Sequence, residues 1–137
     1  MSKQCLDVQQ MQHLQELGLD TSNASMYWIS YNGISVSIPS NFHLPTSDND
    51  YVICDAYTLQ DVLDALPRYV IDENGNKYYL QIEMMNTEFD DWRVSYKSVG
   101  QDESPLGYFQ AFQLIDAAVR MLVLCYEQGY VKTNKNE

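Results

Sequence analysis

Residues 26–38 constrain the fold more than any other part of the sequence. Apolar and small polar side chains alternate there on both sides of the pair Asn32-Gly33. Asn-Gly is the preferred pair for a type I′ turn, because both turn positions need a positive φ. The segment therefore predicts a β-hairpin whose core face carries three opposed pairs: Tyr31 with Ile34, Ile29 with Val36, and Tyr27 with Ile38. The other face is predicted to be mostly serine, with Trp28 as the exception.

A second Asn-Gly pair, Asn74-Gly75, separates two further segments with strand-like patterns. It predicts a hairpin between residues 69–72 and 77–85. The predicted register has two opposed pairs: Ile71 with Tyr78, and Tyr69 with Leu80. Residues 92–97 alternate large and polar side chains, which predicts one more half-buried strand and completes a meander.

Three segments show the apolar spacing that is typical of amphipathic helices. The first covers residues 7–17, with Asp7 as its cap. The second begins after Thr58, and Asp61 lies where a capping box has its acidic residue. The third and longest is predicted over residues 108–128, and its main stripe is Phe109, Phe112, Ile115, Val119 and Leu122.

These elements follow one another in the order α-β-β-α-β-β-β-α. The order predicts an α+β fold with an antiparallel sheet of about five strands, formed by two hairpins and one strand, and with helices mainly on one face. Residues 39–56 have no clear period and predict a loop, in which a short strand at 51–54 remains open. We expect a single α+β domain over residues 1–131 and a flexible tail over residues 132–137.

The charge balance limits the partners that this chain is expected to bind. Nineteen acidic and eight basic side chains give a net charge of −11. Direct binding of nucleic acid depends on Lys and Arg that neutralise phosphates, and an anionic membrane repels acidic protein in the same way. We expect a cytoplasmic protein without a signal peptide or membrane span, whose partner is another protein. Alternatively, the acidic charge serves solubility alone. An unpaired strand edge also makes a homodimer an option.

Few residues suggest catalysis. The cysteines Cys5, Cys54 and Cys125 are odd in number and widely spaced, which predicts neither a disulfide framework nor a zinc site. No glycine-rich phosphate loop or catalytic motif is present, so no cofactor is expected. A nucleophile set of Cys54, His43 and Asp55 is conceivable. The simpler reading is a loop histidine and a strand cysteine.

Acidic residues recur in short clusters, which are Asp48/Asp50, Asp72/Glu73, Glu88/Asp90/Asp91 and Asp102/Glu103. Carboxylates that lie close together bind Ca²⁺ or Mg²⁺, but none of these clusters has the spacing of a known metal loop. Turns favour Asp and Asn for local hydrogen bonds in any case. Spaced carboxylates could also imitate DNA phosphates and occupy the basic groove of a nucleic-acid enzyme.

Trp28, Glu88, Asp90 and Asp91 are the candidate binding residues. Trp28 lies among serines and could be an exposed anchor, since large aromatic side chains dominate the energetics of interfaces. The alternative is that a second helix or loop covers that face of the hairpin. The three acidic residues belong to a polar loop that precedes the last predicted strand.

The segments KQCLDVQQMQHLQELGLDTSNASMYW, YTLQDVLDALP and LIDAAVRMLVLCYEQGYVKTNK resemble small proteins encoded by phages and mobile elements of anaerobic gut bacteria. The most specific parts are residues 58–67 and 114–132. The resemblance carries no functional residues, and it implies a cytoplasmic accessory factor. We therefore expect a non-enzymatic protein-binding factor. The alternatives are an acidic DNA-mimic inhibitor of a nucleic-acid enzyme, and a small enzyme with a His43/Cys54 or carboxylate site.

Overall fold

The computed structural model describes residues 3–41, 50–85, 88, 91–98 and 106–130. The predicted α+β class is confirmed. In chain order the elements are α1 (Val8–Glu16), β1 (Met26–Tyr31), β2 (Ile34–Pro39), β3 (Tyr51–Ala56), α2 (Leu59–Ala65), β4 (Tyr69–Ile71), β5 (Lys77–Met84), β6 (Trp92–Lys97), β7 (Tyr108–Ala111) and α3 (Leu114–Glu127). His43, Asp90 and the predicted tail at 132–137 lie outside the described residues.

The strands form two antiparallel sheets rather than the single sheet of the prediction. One sheet has three strands in the order β2-β1-β3, and the other has four in the order β4-β5-β6-β7. The additional strands are β3 and β7. The short strand at 51–54, which the sequence pattern left undecided, does form. It extends to Ala56 because it pairs with β1.

The first hairpin has the predicted register. Tyr31 pairs with Ile34, and the turn residues Asn32 and Gly33 have φ of 52° and 79°, as a type I′ turn requires. The predicted core face is buried only in part. Ile29 is buried, whereas Tyr31 and Ile34 are 45% and 64% exposed, because the turn end of the hairpin extends past the core.

The second hairpin is displaced by one residue from the predicted register. Tyr69 pairs with Tyr79, and Val70 pairs with Tyr78. The Asp72 carboxylate accepts hydrogen bonds from the amides of Asn74 and Asn76, both 2.9 Å, and only the glycine of the Asn-Gly pair has a positive φ. These bonds select a three-residue turn with a left-handed glycine instead of a type I′ turn. A shift of one residue exchanges the two faces, so Val70 is buried.

The predicted helix over residues 108–128 is a strand followed by a shorter helix. Residues 108–111 form β7, which pairs with β6, and the helix begins only after Gln113. Pairing with a neighbouring strand outweighs the local helical pattern here. Phe112 is consequently exposed and Phe109 of β7 is half-buried, whereas the stripe residues within the helix, Ile115, Val119 and Leu122, are buried as predicted.

Helix α3 is the centre of the packing. It contacts β6, β7 and α2, while α1 packs against β3. The caps of the two shorter helices are as predicted, since Asp7 and Thr58 each form a capping box. Lys3 joins the chain start to α3 through an ion pair with Asp116, with 2.8 Å between Nζ and Oδ1. Burial acts to raise the pKa of Asp116, but hydrogen bonds from Lys3 and Gln10 hold it below the ordinary value.

Candidate functional site

In the four-stranded sheet, β6 and β7 pack one face against α3, and the other face is turned away from the helix. Val94 and Tyr96 of β6 are fully buried on the helix side. Because side chains alternate along a strand, the residues between them point the other way. We call the side chains on this second side the outer face; by the strand register they are Tyr69, Ile71, Lys77, Tyr79, Gln81, Glu83, Arg93, Ser95, Lys97, Tyr108 and Gln110.

Large apolar side chains are exposed on the outer face. Tyr69, Ile71, Tyr79 and Tyr108 are 45%, 46%, 38% and 54% accessible to solvent. Tyr69 and Tyr79 form a tilted ring pair with centroids 6.0 Å apart. Exposed aromatic side chains grouped on one rigid surface are typical of a binding site, because Tyr gives a large contact area and loses little conformational entropy.

Basic side chains accompany these rings. Lys77 Nζ lies 4.7 Å from the centroid of the Tyr69 ring, and Arg93 Cζ lies 4.0 Å from that of Tyr108. At exposed positions such cation–π contacts stabilise by about 0.5–1 kcal/mol each. Lys77, Arg93 and Lys97 are three of the eight basic residues of the chain. Among the residues that define the outer face, Glu83 alone carries a carboxylate. The outer face is thus locally cationic in a protein whose net charge is −11.

Hydrogen bonds fix the cations in place. Gln110 Oε1 accepts from Arg93 Nη2 at 3.0 Å and from Arg93 Nε at 3.3 Å. The amide nitrogen of Gln110 in turn donates to Asp91 Oδ2 at 3.0 Å. Lys97 Nζ donates to Glu83 Oε1 at 2.9 Å. No local sequence pattern indicates this network, because it depends on the register of three strands.

Ser95 is the one outer-face residue that is fully buried. It lies in register between Gln81 and Tyr108, and its side chain is 0% exposed. Within the described part of the chain, its hydroxyl has no hydrogen-bond partner. A buried hydroxyl without a partner costs about 1–3 kcal/mol, so such groups are uncommon away from functional sites.

The predicted binding residues do not form one site. Trp28 is in the three-stranded sheet, where it is half-buried rather than exposed, and its indole nitrogen donates to the Leu6 carbonyl at 2.7 Å. The chain around Leu6 therefore covers this part of the hairpin, as in the alternative reading. Glu88 is exposed, while Asp91 adjoins the outer face through Gln110. Asp90 lies outside the described residues.

The predicted nucleophile lies in an unfavourable environment. Cys54 is half-buried on β3. Burial raises the pKa of its thiol, and the nearby Asp55 and Cys5 raise it further. An activated cysteine needs a lowered pKa, so the surroundings of Cys54 oppose thiolate formation. The other proposed member, His43, lies outside the described residues.

Two carboxylates of the predicted acidic clusters, Asp72 and Asp50, serve the local structure. Asp72 accepts hydrogen bonds within its own turn, and Asp50 accepts one from the Asn32 amide at 3.1 Å. The backbone amide of Asn76 is the main cause that lowers the pKa of Asp72. Within the described ranges, no group of three His, Cys, Asp or Glu side chains is arranged to hold a metal ion. Asp48, Asp102 and Glu103 lie outside those ranges.

Two cavities lie away from the outer face. One, of about 400 Å³, is lined by Asp20, Asp61, Asp64 and the phenols of Tyr57 and Tyr126. Burial, and then the charge of Asp61, raises the pKa of Tyr57 to about 12, so this phenol stays protonated. The other, of about 350 Å³, is a mainly apolar groove between α1, α3 and β7. Neither cavity contains a buried polar side chain without a partner among the described residues.

Comparisons with known proteins do not indicate a function, so the proposed function is based on the geometry of the outer face. No protein-family model, no curated protein and no solved structure matches the chain. Among the described residues, no helix has the length and apolar character needed to cross a membrane.

Proposed function

We propose that this chain is a non-enzymatic protein-binding factor that docks its partner on the outer face. The observation that carries the proposal is the set of four exposed side chains, Tyr69, Ile71, Tyr79 and Tyr108, on one side of the four-stranded sheet. On the other side of the sheet, β6 and β7 pack against α3 and Val70 of β4 is buried, which supports the outer face from below. Rigid aromatic anchors of this kind contribute most of the affinity in protein interfaces.

A protein partner fits this face better than a nucleic acid does. Lys77 and Arg93 already occupy one side of the Tyr69 and Tyr108 rings, which leaves fewer ring faces for stacked bases. The net charge of −11 also repels a chain of phosphates. The three cations attract a partner surface that carries a few carboxylates, which experiences much less of that repulsion.

The proposal changes the location of the predicted interface. Sequence patterns favoured an acidic and aromatic surface that included Trp28, but the indole nitrogen of Trp28 is already bonded to the Leu6 carbonyl. The outer face combines aromatic and cationic side chains instead. As the resemblance implies, we take the factor to be a cytoplasmic accessory protein of a phage or mobile element. A homodimer through a strand edge remains a prediction, which sedimentation velocity tests.

Site-specific photo-crosslinking tests the proposal. A photoreactive phenylalanine analogue replaces Tyr79 on the outer face or, as the matched control, Tyr51 at the end of the three-stranded sheet. Each full-length variant is irradiated in nuclease-treated lysate of an anaerobic gut bacterium. We expect a discrete protein adduct from position 79 and none from position 51. Tyr51 is 64% exposed and Tyr79 only 38%, so random collisions would favour the control position.

Three outcomes would contradict the proposal: no protein adduct at position 79, equal adducts at both positions, or crosslinking to added single-stranded DNA. The captured protein could act on DNA, and added DNA could displace this chain from that protein. In that case, the DNA-mimic inhibitor replaces the accessory factor as the proposed function.

A further inference from the structure

We infer that Arg93, Ser95 and Lys97 form a carboxylate-binding subsite at the centre of the outer face. The partner would place an Asp or Glu side chain of an acidic peptide segment there. This inference rests on the proposed function, since it names the chemistry that the partner offers to the same face. The three residues are successive outward positions of β6, roughly 7 Å apart along the strand.

Arg93 is held ready to bind an anion. Its guanidinium lies 4.0 Å from the centroid of the Tyr108 ring, and two of its nitrogens donate to Gln110. A guanidinium has five N–H donors, so others remain for a ligand. Asp91 holds Gln110 from the far side, which fixes the plane of the guanidinium before any partner arrives. A donor that is fixed in advance loses less entropy when it binds.

Glu83 already occupies part of this region. In the register of β5 and β6, Lys97 is opposite Tyr79, and Glu83 is opposite Arg93. The pair of Gln81 and Ser95 lies between these two pairs. The 2.9 Å ion pair of Lys97 and Glu83 therefore spans the pair of Gln81 and Ser95. A carboxylate of the chain itself thus lies where we place the carboxylate of the partner. Glu83 then acts as an internal competitor that the partner displaces.

Ser95 is the independent sign of a ligand. Its hydroxyl is fully buried under the outer face and has no hydrogen-bond partner among the described residues. Folding removes this hydroxyl from water, and a ligand acceptor that displaces the side chains around it would supply the bond that the described residues do not. Arg93 and Lys97 flank it on the same strand, so the acceptor would be anionic.

A carboxylate suits these donors better than a phosphate group of a nucleic acid. The guanidinium fork forms two parallel hydrogen bonds with either group, so the surrounding charge decides between them. Glu83 and the net charge of −11 oppose a polyanion much more than they oppose one side chain.

Selection from a displayed library of random twelve-residue peptides tests the inference with the full chain as bait. We expect enriched peptides that share an Asp or Glu next to apolar residues. For a synthetic peptide from this set, Glu83→Gln should raise the affinity about three- to tenfold, because it removes the internal carboxylate but keeps the shape. Arg93→Gln should lower the affinity about tenfold or more.

Ser95→Ala distinguishes a ligand-binding serine from a structural one. We expect the affinity to fall about two- to tenfold, while the melting temperature stays the same or rises, because the variant removes an unsatisfied hydroxyl. Ile34→Ala, at the end of the other sheet, is the control and should change neither quantity. A loss of melting temperature in Ser95→Ala without a loss of affinity would overturn the subsite.

Failure of the subsite and failure of the proposed function give different results. Enriched peptides without acidic residues, or an unchanged affinity in Glu83→Gln, overturn the subsite even where crosslinking at position 79 succeeds. If neither crosslinking nor peptide selection yields binding on the outer face, the proposed function itself is overturned.

Discussion

The two sheets expose apolar side chains in different surroundings. At the turn end of the three-stranded sheet, Tyr31, Ile34 and Tyr51 are exposed, and their side chains make no hydrogen bond, ion pair or ring contact within the described part of the chain. On the outer face of the four-stranded sheet, Tyr69 and Tyr108 each pair with a cation that lies over the ring. Exposure alone therefore does not identify a site; charged neighbours held in fixed positions do.

The largest expected effect concerns the three-stranded sheet, where two isoleucines of one hairpin differ in burial. Ile29→Ala should lower the free energy of unfolding by about 2–5 kcal/mol, because it leaves a cavity at a buried position. Ile34→Ala should change it by about 0.5 kcal/mol or less, since that side chain is already in water. Urea denaturation measures both. A cost in Ile34→Ala similar to that in Ile29→Ala would mean that the turn end is covered.

The next effect concerns binding. Tyr108→Ala should weaken the complex with the crosslinked partner by about 2 kcal/mol, because it removes a ring and the support of the Arg93 guanidinium. Tyr51→Ala, the matched change on the other sheet, should leave the affinity unchanged within about twofold. Calorimetric titration of each variant measures the two affinities. The comparison between the sheets fails if Tyr51→Ala has the larger effect.

A carboxylate fixes the base of the first hairpin, at the opposite end from its exposed turn. Asp61 of α2 accepts hydrogen bonds from the Ser25 amide at 2.9 Å and the Ser25 hydroxyl at 2.7 Å, just before β1. Burial acts to raise the pKa of Asp61, but bonds from Thr58 and Ser25 outweigh it and lower the pKa. Asp61→Asn should cost roughly 1–2 kcal/mol at neutral pH.

The pH dependence of this effect has a defined sign. Because the folded pKa of Asp61 is depressed, its stabilisation is complete above the unfolded pKa of about 3.9 and is lost as the pH falls through the folded value. The difference between wild type and Asp61→Asn should therefore shrink under acidic conditions. Urea titrations at neutral and acidic pH check this, and a difference that grows on acidification would refute it.

The smallest effect compares the two turns. Asn32→Ala should cost about 1 kcal/mol, because position 32 has a φ of 52° that Ala adopts poorly. Asn74→Ala should cost about 0.5 kcal/mol or less, since residue 74 is not among the residues with positive φ. Thermal unfolding of both variants measures the difference. Equal costs would show that the two turns are alike after all.

These turns also show how far the sequence predicts the fold. Both Asn-Gly pairs predict hairpins, and both hairpins form. Only the first has the predicted register, because in the second the Asp72 carboxylate binds the turn amides and selects another turn. Local patterns also predicted the caps at Asp7 and Thr58, which depend on neighbours within the same turn.

What depends on distant contacts could not be predicted from local patterns. β7 has a helical apolar spacing and becomes a strand only because β6 offers it a pairing edge. The outer face was not predicted for the same reason, since Arg93, Gln110 and Tyr108 meet only across the β6–β7 register. Local patterns favour Trp28 as a binding residue, because no local feature indicates that the chain near Leu6 covers it.

The most direct test of the account is amide NMR of the ¹⁵N-labelled chain during titration with the purified partner. We expect the shift changes to concentrate in residues 77–83, 93–97 and 108–110, while residues 31–34 and 51–52 stay unperturbed. Changes confined to the turn end of the three-stranded sheet, with an unperturbed outer face, would contradict it.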